Sequence, residues 1–340
     1  MNRTISKMAF VAASLFASST VLGQTVPTTP AMNVLIGTAT ANDTQAAAVD
    51  KFAELLTKYS GGRLKALGRT GGALGSNIQM LATLQAGALH GMITPAGILS
   101  SAVPEVSLFD LPFLLPSAPA KMTAFAAQSK AAARMIELAE QKGIHIIGFH
   151  GIGPSSFLTK YPVSKLADLQ GKPFGATIPS PLRIGAYQDW GFVTRPIGFD
   201  EVYTDLQQGL VAAMEGPPDV LYRMRLYEVA KYFTITGHFP LVDVLMVSKK
   251  WFDGLPKDLQ DVVTKAAKDT IVFADDAYTK SQDSGLEAMR KVITVTNMPP
   301  AEIQKMKDLS KGVWNKMRND PQKGPIVKLL EEDAARFNKY

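Results

Sequence analysis

Short apolar runs alternate with stretches of helical spacing along most of this chain, beginning with Val34-Leu35-Ile36-Gly37. A brief apolar run bounded by polar residues reads as a buried strand. From Thr44 to Tyr59 the apolar positions Ala48, Phe52, Leu55 and Leu56 fall on one helical face, and Gly61-Gly62 end the helix. Arg63 to Leu67 returns to a strand. Leu74 to Ala86 is a second helix, with Ile78, Leu81 and Leu84 on one side and Gly87 behind it, and Met92-Ile93-Thr94 is a third apolar run. Strands alternating with helices predict an α/β sheet with crossover connections.

A second unit of the same kind starts near Gly151, after the strand Ile144 to Phe149. Leu169 to Phe174 leads into a loop holding Pro179 and Pro181, a helix follows over Arg183 to Trp190, and another runs from Asp200 to Gly209. Leu241 to Ser248 is an isolated strand that fits best back in the first sheet. Pro256 to about Val292 is helical with few interruptions, and at about 1.5 Å per residue it is long enough to run along both units. Pro299 to Tyr340 reads as an amphipathic surface helix. The pattern therefore predicts two α/β lobes, each a mixed sheet flanked by helices, with a long helix spanning both. Lobe I is expected over 33–150 plus 239–275 and lobe II over 151–238 plus 276–340, with the cleft between them as the default ligand site.

The first residues change the picture of where this fold operates. Arg3 and Lys7 precede the apolar run Met8 to Phe16, and Val21-Leu22-Gly23 supplies a cleavage region, the order of a secretory signal peptide over 1–23. A polar, Pro-containing leader over 24–32 follows, so a periplasmic protein is expected. Cysteine is absent, which excludes a lipid anchor, disulfides and a thiolate zinc site. Hydrophobic residues make up 46% of the 340, enough core for two domains. The formal net charge of +6 falls by two, to +4, once Arg3 and Lys7 leave. The basic residues are scattered and lack aromatic interleaving, so no nucleic-acid partner is expected.

Catalytic signatures fail on their details. Gly71-Gly72-Ala73-Leu74-Gly75 lacks the Lys-Ser/Thr of a phosphate loop and the remainder of a dinucleotide fingerprint. Ser155 has Gly153 two residues before it but Phe157 two residues after, so it does not form a nucleophile elbow. His90, His145, His150 and His238 show no metal-ligand spacing. Neither an enzyme, a cofactor nor a metal is expected, and a binder is favoured.

Several segments resemble one family in the right order. Gly61-Gly62-Arg63-Leu64-Lys65, Leu84-Gln85-Ala86-Gly87 and Val103-Pro104-Glu105 followed by Leu111-Pro112-Phe113-Leu114 are similar to motifs of the solute receptors of tripartite ATP-independent periplasmic (TRAP) transporters. So are Asp168-Leu169-Gln170-Gly171, Pro196 to Tyr203 and Leu206 to Pro217. The resemblance implies a two-lobed periplasmic-binding-protein fold, type II-like, that closes on a small-molecule solute and docks, as a monomer, on TRAP membrane permease subunits. The family usually fixes a substrate carboxylate with an Arg whose planar fork makes two charge-assisted hydrogen bonds. In this sequence Gly175 stands where that Arg belongs, and Ser155 where a second one is common.

Carried over residue by residue, the resemblance puts Ala39, Thr40, Thr94 and Pro95 on the first lobe's side of the ligand site. Ser155, Gly175 and Thr177 fall in the clamp region, and Phe199 is an apolar wall. Glu215 and Gly216 lie at the hinge end, and His238, before Phe239-Pro240, falls in the family's TGH-like segment. Gly216 in place of an Asn, and Pro95 in place of a polar residue, predict a pocket that loses charge and gains room. Arg183 is expected either to swing into the vacant clamp position or to lie on the surface at a helix start. A buried carboxylate without a cationic partner is expensive, so the expected ligand is neutral or held through neutral donors. The competing readings are a receptor that reports to a membrane signalling protein and an exported hydrolase.

Overall fold

Two long strands organise the molecule, which a computed structural model describes over residues 31–178 and 180–337. The expected signal peptide, and the leader as far as residue 30, lie outside the described residues. The leader was expected to reach residue 32, but Met32 already pairs with Leu64 in the sheet.

Strand β1 (Met32–Gly37) leads to α1 (Thr44–Tyr59), β2 (Leu64–Arg69), α2 (Asn77–Ala86) and β3 (Gly91–Pro95). Two 3-10 segments, Ala96–Ser101 and Pro104–Asp110, precede α3 (Pro119–Gln128) and α4 (Lys130–Glu140). Next come β4 (Ile144–Thr159), β5 (Pro173–Ala176), α5 (Pro181–Asp189) and β6 (Val193–Pro196). They are followed by α6 (Val202–Gln208), β7 (Ala213–Gly216), α7 (Pro218–Arg223) and β8 (Tyr232–Ser248). The chain continues through α8 (Lys249–Asp253), α9 (Lys257–Arg290), β9 (Thr294–Asn297), α10 (Pro300–Arg318) and α11 (Gly324–Phe337).

The strand order is β2-β1-β3-β8-β4-β7-β5-β6, with β9 added beside β8. β1, β2 and β3 are parallel to one another, as are β5, β6 and β7, and the antiparallel strands β8 and β4 join the two sets. The sheet is therefore continuous, where the sequence pattern predicts one sheet per lobe. The reason lies in Gly151 to Pro154 and Gly237 to Pro240, which read as strand breaks but are absorbed inside β4 and β8. Register shifts fall between Ile146 and Gly148, Gly151 and Gly153, and Ser155 and Phe157. Gly153 and Gly237 take φ angles of 137° and 60°, which glycine adopts without a steric penalty. Pro154 lies opposite Pro240, and because neither has an N–H the ladder has no donor at that pair.

Helix α9 was expected from Pro256 to about Val292 and runs from Lys257 to Arg290. Its buried stripe, Ala266, Thr270, Ala274, Tyr278, Ser281, Gly285 and Met289, repeats every three or four residues and is mostly small. Small residues let neighbouring backbone come close: a Cβ at Gly285 would stand 2.6 Å from the Asp219 Cα on α7. Phe52, Leu56, Ile93, Leu245 and Ala266 share one buried apolar cluster, which seats α1 and α9 on β1, β3 and β8. Leu158, Leu206, Leu221, Phe233 and Met289 form another around α6, α7 and the far end of α9. Instead of one helix from Pro299 there are two, parted near Pro321, whose ring cannot continue an α-helix. No helix among the described residues is long and apolar enough to cross a membrane.

Candidate functional site

The C-terminal ends of both parallel strand sets open onto one cavity, the usual position for a ligand in an α/β sheet. Thr40 and Asp43 come from the turn after β1, and Pro95 ends β3. Opposite them, Thr177 and Ile178 follow β5, Phe199 follows β6, and Glu215 and Gly216 end β7. Ile152 and Ser155 of β4 and Leu241 of β8 close the back, and Tyr278 of α9 closes the side. The room left for the centres of water-sized molecules is about 40 Å³, enough for a few waters.

Eight of the twelve residues expected at the site line this cavity: Thr40, Pro95, Ser155, Thr177, Arg183, Phe199, Glu215 and Gly216. The other four stand behind it. Ala39 packs in the core, Thr94 is buried within β3, and His238 lies beneath Glu215, stacked on Phe157 with ring centres 4.3 Å apart. The space beside Gly175 is filled by Ile197 and Val211, and a Cβ there would stand 2.7 Å from Ile197 Cδ1. A Cβ on Gly216 would likewise meet Leu221 at 2.8 Å. The expected gain in room therefore does not occur at either glycine, because neighbouring side chains have taken the space.

Arg183 is not on the surface, and although it lines the cavity its side chain is not free. It is fully buried on α5, one nitrogen donating to Asp110 at 2.9 Å and another to Glu215, with the guanidinium 4.5 Å above the Phe239 ring. Glu215 also accepts from the Tyr187 hydroxyl at 2.7 Å and from His238 Nε2. Burial alone would raise the Glu215 carboxyl, but Arg183 and His238 bring it down to about 2, so it is ionised. Burial holds His238 below its usual range, in spite of Glu215. The neutral ring donates from Nε2 to Glu215 and accepts the Thr236 hydroxyl at Nδ1, at 2.6 Å. Both guanidinium NH2 groups are thus engaged inside the protein, and the fork that would clamp a substrate carboxylate is closed. Only Arg183 Nε has no partner.

Besides Gln45, whose amide is held by Asp243, three polar residues of the cavity wall were not singled out by the sequence: Asp43, Asn77 and Tyr278. Each of the three has a buried polar atom without a hydrogen-bond partner, namely Asp43 Oδ2, Asn77 Oδ1 and the Tyr278 hydroxyl. Asp43 caps α1, its Oδ1 accepting from the Ala46 N–H and the Thr40 hydroxyl, each at 2.8 Å, and Oδ2 is left over. Burial raises the Asp43 carboxyl to about 6, partly offset by those two donors. In sequence Asp43 reads as a helix cap and Tyr278 as one more apolar position in a long helix. Their approach depends on packing between α1 and α9, which no local pattern encodes.

A continuous sheet bent around one cavity, with walls from both strand sets, defines a two-lobed ligand-capturing protein. The chain belongs to the bacterial extracellular solute-binding proteins, family 7, whose profile it matches over residues 36–320. It is 29% identical to the ectoine/5-hydroxyectoine-binding periplasmic protein of Ruegeria pomeroyi over 232 residues, 66% of this chain and 68% of that one. A solute-binding protein of Verminephrobacter eiseniae is 31% identical over 252 residues, 70% of each. Among solved structures, a TRAP periplasmic solute-binding protein from Desulfovibrio salexigens with bound orotic acid superposes with a TM-score of 0.83 at 26% identity, covering 90% of this chain and 99% of that one. The chain is thus a TRAP-type periplasmic solute-binding receptor, and the signalling and hydrolase readings find no support in these relatives.

Proposed function

We propose that this receptor captures a small solute by closing its lobes, without a bidentate Arg clamp, and hands it to TRAP membrane permease subunits while itself performing no catalysis. The observation that carries this reading is the cavity, which receives walls from both strand sets at the point where β4 and β8 pass between them. A ligand touching both walls is bound fully only in the closed form, so it shifts the open-closed equilibrium by its differential affinity. The lobes are taken as 33–150 plus 239–275 and 151–238 plus 276–340. The hinge is placed at the donor-free Pro154–Pro240 pair and the neighbouring bulges. Export by the signal peptide 1–23 and action as a monomer belong to the same proposal.

Small-angle scattering tests the closure. A saturating solute is expected to reduce the radius of gyration, and superimposable profiles with and without it would sink the mechanism. Uptake into proteoliposomes carrying the permease is expected to require the receptor, and undiminished uptake without it would remove the delivery role.

A further inference from the structure

The unpartnered atoms on the cavity wall carry the assignment further, on the premise that this cavity is the receptor's solute site. Four polar atoms there are buried without a partner: Asp43 Oδ2, Asn77 Oδ1, the Tyr278 hydroxyl and Arg183 Nε. Buried polar groups are ordinarily paired. Thr94, His150, Tyr161 and Asp243 also hold unpartnered atoms, but the four named first line a cavity in which a ligand can supply the partners. The charges decide what that ligand brings. Glu215 has Arg183, Tyr187 and His238 on its two oxygens, and Arg183 has two carboxylates on its fork. Asp219, just behind Asp43, is held by Arg223 at 2.8 Å. Asp43 Oδ2 is therefore the free carboxylate oxygen on the wall among the described residues, and it is 4% exposed at the residue level. The rest of the wall combines the apolar side chains Ile152, Ile178, Phe199, Val220 and Leu241 with the neutral polar side chains Thr40, Gln45, Ser155 and Thr177.

We propose that the solute is a small organic cation or zwitterion whose positively charged N–H group seats on Asp43 Oδ2. Its apolar body lies between Phe199 and Val220. Asn77 Oδ1 and the Tyr278 hydroxyl take further donors, and Arg183 Nε offers one hydrogen bond to an acceptor at the other end. The neutral ligand expected from the missing clamp becomes a cationic or zwitterionic one, because the carboxylate oxygen left unpaired in the wall calls for a positive donor. An anion would face the Asp43 carboxylate, with Arg183 Nε and the neutral hydroxyls of Ser155 and Thr177 as the donors left on the wall.

Calorimetry on the full chain would use skeleton-matched probes, cyclohexylamine, cyclohexanol and cyclohexanecarboxylate, together with L-proline, 4-aminobutyrate and putrescine. Binding is expected among the amine-bearing members and absent from the alcohol and the carboxylate. Asp43→Asn should weaken that binding about 10- to 100-fold, the range for one hydrogen bond to a charged group. Asn remains a good helix cap, so α1 is preserved. Tyr278→Phe should weaken it less, through one neutral hydrogen bond. Binding of only neutral or anionic probes, binding of no probe, or full affinity in Asp43→Asn overturns the charge assignment and leaves the receptor standing. Val220→Trp, which fills the cavity, tests the premise separately: if any probe still binds it unchanged, the solute site lies elsewhere.

Discussion

Asp43 sets a pH dependence that can be separated from the rest of the protein. Burial raises its carboxyl from 3.8 to about 6, with Asp219 adding to the rise and the Ala46 N–H, the Thr40 hydroxyl and Arg223 opposing it. The folded state therefore holds this proton more tightly than the unfolded chain. The resulting stability is fully present below about pH 4 and is lost as pH rises through about 6, by roughly 3 kcal/mol. His150 works the other way in the same window. Burial lowers it to about 4, so its unfolded form takes the proton first and stability falls as pH drops below about 6.5. Denaturant unfolding of the wild type and Asp43→Asn, compared from pH 4 to 8, isolates the Asp43 part. The variant is expected to gain stability above pH 6 while losing ligand, and a loss of stability there would make Asp43 a structural residue. Arg183 is the opposite case. Arg183→Ala leaves Asp110 and Glu215 facing each other in a buried site, and about 3–5 kcal/mol of unfolding free energy should be lost in the same assay.

Among the elements, those with an uninterrupted period were legible and those that cross between lobes were not. Helix α1 runs from Thr44 to Tyr59 as its apolar spacing predicts, and α9 differs from expectation by a residue or two at each end. β4 and β8 extend ten residues or so beyond their apolar cores, because Gly and Pro stop a strand in isolation but not one supported on both sides. The site was legible in part. Positions next to strand ends, such as Thr40, Pro95 and Thr177, came from the family resemblance, whereas Asp43, Asn77 and Tyr278 depend on how helices pack. Gly285 fixes one such packing. Gly285→Ala improves helix propensity by up to about 1 kcal/mol, yet its methyl would press on the Asp219 backbone, and overpacking costs about 1–3 kcal/mol. A net destabilisation of about 1 kcal/mol is expected in chemical denaturation. Solute affinity should fall with it, because α7 also carries Val220 of the cavity wall. An unchanged or raised midpoint would show that α7 moves aside freely.

For the whole molecule, the crossing strands decide how the lobes communicate. Two hydrogen-bonded strands and one helix constrain opening far more than flexible tethers would, so it must be taken up as twist and bend of a narrow ribbon that lacks a ladder donor at the Pro154–Pro240 pair. Such a ribbon behaves as a torsion spring, and its rest angle fixes the fraction of unliganded molecules that are already closed. Apparent affinity is the closed-state affinity scaled by that fraction. The concentration at which the receptor responds is thus set partly by residues that never meet the solute. Two proteins with identical cavities but different ribbons at 151–155 and 237–240 would sample the same compound in different ranges.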